Sequence, residues 1–364
     1  MTLTELYKQN YLPGFDCRMT TFRNNLAFYG HNLSNGMTLG LSGCLSFIYS
    51  TAAENRIPYY TILGITDQTL EGLSSVFDCY LVRGECSVEI PELLAFIKTN
   101  LQKNILINAA INRPLLHHIR QGNDLNDFVL GPTNVGFHFV TITGLEDDKV
   151  TFFETDYAHP LECDVETFIH LWFYDTIHGR TLFDANQTCS GKYYTIQPPG
   201  FEAQKNKNAL MFSMDKVASN FFVNNKYYRN GLQGIKDFFQ DVKTWRSGVE
   251  KTCMVNSIFF MKILEMNLSG GGFGRRLYSS FLAEAAAVIN DSELQAIARE
   301  FKATSKLWAN FISAISSPEI INSIMLNEFD LLESLTEAHS INIINAETSQ
   351  FMHLNNWIKS INSL

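Results

Sequence analysis

Three residues far apart in the chain, Cys17, His138 and Asp156, are of the types that together make a covalent catalyst. A thiol becomes a useful nucleophile when a base takes its proton, and the base works best when a third group fixes its tautomer. Cys17 is followed by Met19, Phe22, Leu26 and Tyr29, stepping by three and four, and then by Gly30. That spacing predicts an amphipathic helix closed by a glycine. Cys17 then stands at or just before a helix N-terminus, where unpaired N–H groups and the positive end of the dipole favour a thiolate. Its neighbours pull in opposite directions, Asp16 against the thiolate's charge and Arg18 for it.

His138 falls in an apolar run, 135–143, on the face of Val140 and Ile142, and Asp156 closes the next run, 150–156. The polar turn Glu146-Asp147-Asp148-Lys149 joins the two as a hairpin. A turn over Glu146 to Asp148 puts His138 directly opposite Asp156 on one face, whereas a tighter turn at Asp147-Asp148 shifts the register and sends Asp156 to the other face. Helix cysteine, strand histidine, strand aspartate is the chain order of papain-like proteins. Each residue also has a quieter role: a small buried thiol, a core or surface histidine, a turn aspartate ahead of His159-Pro160. An acyl oxyanion would need two donors, for which the Cys17 N–H and a side-chain amide of Gln9 or Asn10 are candidates. No metal site is expected: the adjacent His117-His118 cannot share a helix face, and no Cys or carboxylate has metal-site spacing around them.

The elements that must position these residues form an α+β domain over 1–200. Strands are predicted over 59–65, 76–82, 104–111, 135–143, 150–156 and 193–197, with helices after Cys17 and over 91–101 and 165–173. The small-residue stretch 39–49 suits close backbone packing. Pro198-Pro199-Gly200 marks a boundary, and 201–364 reads as an all-α domain with helices over 209–222, 234–242, 253–264, 275–289, 292–315, 320–337 and 350–361. Its stretch Gly270-Gly271-Gly272 before Arg275-Arg276 matches neither the P-loop nor the dinucleotide fingerprint, leaving a helix-start anion site or a plain connection.

Composition narrows the classes. Of 364 residues, 46% are hydrophobic and 18% charged, which suits packed globular domains. No apolar run is long enough to span a membrane, and the first ten residues lack a secretory stretch. Seven cysteines with no CxxC pair fit reduced thiols in the cytoplasm. The net charge of −9 speaks against nucleic acid as a partner. Charge is uneven, −9 over 1–200, +6 over 201–280 and −6 over 281–364. The basic band is either a docking surface for an acidic macromolecule or the scattered exterior of helices.

Phe15-Asp16-Cys17 with the stretch to 49, Gly136-Phe137-His138 and Thr155-Asp156 resembles the N-terminal domain of the butirosin biosynthesis protein H family. Gly270 to Tyr278, with Phe281-Leu282-Ala283-Glu284-Ala285-Ala286, is similar to the helical domain that usually follows it. The resemblance implies a papain-like cysteine fold used for acyl transfer in specialised-metabolite, antibiotic-like biosynthesis. An acyl or aminoacyl group would pass from the phosphopantetheine thioester of an acyl carrier protein to an amine-bearing small molecule, with no cofactor bound to the enzyme itself. Cys17 would accept the acyl group, His138 shuttle the proton and Asp156 orient His138. The basic band would face the carrier protein, with Arg275 and Arg276 guiding the phosphopantetheine arm. A cysteine amidase or peptidase, or an inactive binding module of the same fold, are the alternatives.

Overall fold

The structure, a computed structural model, describes residues 1–51, 60–128, 137–178, 188–198, 202–223 and 229–362. The chain is mixed α/β, with antiparallel sheets and a helical C-terminal region, and divides into two compact units. The first comprises Met1–Leu33 and Phe77–Phe201, the second Ser34–Val76 and Glu202–Leu364. The second therefore takes an excursion from the N-terminal half that the reading of 1–200 as one domain assigned to the first.

The chain opens with α1 (Leu3–Gln9) and α2 (Cys17–Phe28). The excursion then supplies α3 (Asn35–Ser42), β1 (Leu45–Ser50), β2 (Thr61–Ile65) and α4 (Thr69–Phe77). Back in the first unit come β3 (Leu81–Glu85), α5 (Ile90–Gln102), β4 (Ile107–Asn112), α6 (Arg113–Arg120), β5 (Phe137–Glu146), β6 (Lys149–Glu154), β7 (Leu161–Asp164), α7 (Val165–Trp172), α8 (Tyr174–His178) and β8 (Lys192–Ile196). The strand predicted over 76–82 begins later, at Leu81. Apolar residues to Phe77 belong to α4, and Asp78 at φ 50° breaks that helix.

In the first unit the strands form one antiparallel sheet in the order β3-β8-β4-β5-β6-β7. β4 is central and buried at all six residues, which is why its sequence is an apolar run with only Asn108 and Asn112 polar. Asn108 is satisfied by donating to Tyr194 O at 3.2 Å and accepting from Thr141 Oγ1 at 2.8 Å. One side of the sheet carries α1 and α2, where Tyr7 of α1, Tyr11 of the next loop and Phe28 of α2 cluster with Phe153. Val140, Ile142, Phe152 and Ile111 form the other core with α5, α6 and α7.

The second unit is not all-α. β1 is the middle strand of an antiparallel sheet, β2-β1-β9, completed by the short β9 (Arg229–Asn230). Its helices are α9 (Lys207–Phe221), α10 (Gly231–Thr244), α11 (Lys251–Ile263), α12 (Arg275–Ile289), α13 (Ser292–Ile315), α14 (Pro318–Met325) and α15 (Asp330–Asn362). The close packing predicted for the small-residue stretch is real: a Cβ on Gly40 would lie 1.9 Å from the Phe281 ring of α12. The helix predicted over 320–337 breaks at Asn327, where φ is 64°, and α15 then runs unbroken through 350–361. No helix among the described residues is long and apolar enough to cross a membrane.

Candidate active site

Cys17 is the first residue of α2, as its spacing predicted, but the helix is not amphipathic: Met19 to Ala27 are all buried, polar Arg23, Asn24 and Asn25 included. Asp16 is the helix N-cap. Its Oδ1 accepts from Arg18 N at 2.9 Å and Met19 N at 3.1 Å, and its Oδ2 lies 2.8 Å from Arg18 Nη2. Burial would raise the Asp16 pKa, but the Arg18 charge and these hydrogen bonds outweigh it and lower the value. The opposed neighbours of Cys17 thus neutralise one another.

The loop ahead of Cys17 is clamped from two sides. Buried Arg23 donates to Leu12 O and Pro13 O, and Asn24 exchanges two hydrogen bonds with the Leu12 backbone. From the sheet, Thr155 O accepts the Gly14 N–H at 3.1 Å. Gly14 also lets the loop close on α2, because a Cβ there would sit 2.0 Å from Thr20 Oγ1.

His138 is the second residue of β5, 5% exposed, paired with Ile111 of β4. Its imidazole hydrogen-bonds Cys17 on one side. On the other, Nε2 meets Thr155 Oγ1 at 2.9 Å and the carboxylate of Glu154 at 2.6 Å. The Thr155 contact has hydrogen-bond geometry; the shorter one to Glu154 Oε1 is an ion-pair contact off the N–H direction. With Nε2 engaged, Nδ1 is the nitrogen left to the thiol. Burial alone pulls the His138 pKa down. The Cys17 charge and hydrogen bond, then the close contact and charge of Glu154, outweigh burial and raise it to about 9. For Glu154, burial pushes up, while the close His138 contact and charge, the Asp156 N–H and Arg113 together pull the value below the usual carboxylate range.

Asp156 does not reach His138; it pairs with Arg113 Nη2. The hairpin explains the correction. Its turn is the tight one, Asp147-Asp148, both left-handed at φ 45° and 59°, and Glu146 pairs with Lys149. Left alone, that register would turn Asp156 away. An irregularity between Ile142 and Gly144 restores the other register, so Val140 faces Glu154. Glu154 and Asp156 therefore have the same parity, and the end of the strand decides between them. β6 stops at Glu154, Tyr157 N turns back onto Glu154 O at 3.1 Å, and Asp156 leaves the sheet. Glu154 was missed by the sequence reading, although its place two residues before Asp156 was the available signal.

Gln9 and Asn10 line a cleft of about 600 Å³ with Phe28 and Tyr29, at the C-terminal end of α2. At about 1.5 Å per residue that is roughly 16 Å along the helix from Cys17, too far for oxyanion donors. Arg275 is fully buried, with Nε 2.8 Å from Glu347 Oε1 and Nη1 donating to Ser46 O and Phe273 O. It holds the core of the second unit and cannot meet a partner protein. Arg276 lies at the surface, its Nε on Gly270 O at 2.6 Å. Residues 270–274 all have positive φ, which four glycines make accessible. The Gly272 N–H already bonds the Glu265 carboxylate at 2.7 Å, so the loop supplies its own anion.

Residues 183–331 match a family model described as a domain of unknown function, DUF4872. No curated protein matches the chain.

A protonated imidazole stabilised in the fold contributes fully below its ordinary 6.5, and the contribution is lost as pH rises through about 9. Urea unfolding is therefore expected to show wild type losing stability between those values more steeply than His138→Gln.

Proposed function

We propose that the chain is a papain-like, cytoplasmic cysteine acyltransferase that takes an acyl or aminoacyl group from a carrier-protein phosphopantetheine thioester and delivers it to an amine in specialised-metabolite biosynthesis. The observation that carries the reading is one imidazole held between the Cys17 thiol and the Glu154 carboxylate. A thiolate beside an imidazolium attacks the thioester carbonyl. The C–S bond to the pantetheine arm breaks, and its thiol leaves with the proton of His138. The acceptor amine then attacks the Cys17 acyl-enzyme, gives its proton to His138, and the amide departs as the thiolate re-forms. Glu154 keeps the imidazole oriented and balances its charge. The Cys17 N–H, at the head of α2, is one donor for the oxyanion. The basic band over 201–280 supports a carrier-protein partner through its charge, with Arg276 at the surface and Arg275 buried.

Incubation with acyl-loaded carrier protein is expected to add one acyl mass to the intact wild-type chain and none to Cys17→Ala. An adduct that survives Cys17→Ala removes the nucleophile; amide hydrolysis with no thioester adduct replaces transfer by a hydrolase.

A further inference from the structure

Arg113, the first residue of α6, touches two carboxylates. Its Nη2 pairs with Asp156, and its Nε lies 3.8 Å from Glu154 Oε1. That same oxygen is the one 2.6 Å from His138 Nε2. One atom is thus shared between an imidazole and a guanidinium, and the guanidinium is shared between that atom and Asp156. The other Glu154 oxygen accepts the Asp156 backbone N–H at 2.9 Å. Formal charge alternates outward from the sulfur through His138, Glu154, Arg113 and Asp156. Three elements bring titratable or charged groups to the imidazole: Cys17 from α2 with the Asp16–Arg18 pair at its cap, Glu154 and Asp156 from the end of β6, and Arg113 and His117 from α6.

We infer that Arg113 is a positioning residue whose hold on Glu154 is limited by Asp156, so that this outer ion pair sets how closely Glu154 holds His138. The inference rests on the reading of His138 as the base. Removing Arg113 leaves Glu154 Oε1 wholly to the imidazole. Removing the charge of Asp156 frees Arg113 to draw that oxygen away. The two partners of one ion pair therefore act on His138 with opposite sign, which a merely structural link would not do.

The test is the His138 titration, followed by NMR on histidine-labelled full-length protein and assigned with His138→Gln. Arg113→Met is expected to raise the midpoint by about half a pH unit and Asp156→Asn to lower it by about as much. In a Glu154→Gln background both shifts should fall below half their size. Shifts of the same sign, or shifts that persist in that background, overturn the inference; the latter would mean that both charges act on the imidazole through space. Arg113→Gln is a second removal should the Met variant not fold. No acyl substrate is involved, so a missing Cys17 adduct and a failed titration are separate results.

Discussion

Glu154→Gln is expected to slow alkylation of Cys17 by iodoacetamide at neutral pH by about 10²-fold, whereas Asp156→Asn slows it less than about threefold. The carboxylate beside His138 Nε2 belongs to Glu154, and an amide there removes the charge that stabilises the imidazolium. Asp156 acts one residue further out, through Arg113. Peptide mapping separates Cys17 from the other six thiols, none of which is in a disulfide. Equal slowing by the two variants, or a larger effect at Asp156, would return the orienting role to Asp156.

The second large effect lies in the other unit. Glu347 is fully buried and receives Arg275 Nε at 2.8 Å, Trp308 Nε1 at 2.6 Å and Gln350 Nε2 at 2.8 Å. Glu347→Ala leaves the Arg275 guanidinium buried without its counter-charge and strips two further donors of their acceptor. The expected loss is about 3–5 kcal/mol in urea unfolding. Replacing both charged partners, Arg275→Met with Glu347→Leu, should cost less than the single change, because no orphaned charge remains. A single variant within about 1 kcal/mol of wild type would mean that water reaches the guanidinium.

Local pattern made the Cys17 helix legible, since its stripe and its cap lie within a dozen residues. The hairpin was legible in its strands but not in its register, which depends on a turn type and on a compensating irregularity near Thr143. Those two slips cancel, so the face was read correctly while the partner was not. Beyond the end of β6, Asp156 pairs with Arg113, an interaction across 43 residues that no local pattern encodes. Arg275 illustrates the same limit. In sequence it is half of an Arg-Arg pair in a basic band; in the fold a glutamate 72 residues downstream buries it. Gln9 and Asn10 were near Cys17 in sequence, but the intervening loop and the length of α2 set them at its far end. The second unit's helices were mostly legible from period, but not the sheet, because a strand's own residues do not say which core it joins.

That strand has a bearing on biosynthesis of the polypeptide itself. The pair β1 and β2 emerges from the ribosome early, yet its third strand and the helices α9 to α15 of its unit are translated only after residue 201. For more than a hundred codons a nascent chain carries an apolar ribbon whose outer edge has no mate. Truncating the gene after codon 201 would make that interval permanent, so a fragment ending there should precipitate even with Cys17, His138 and Glu154 all present.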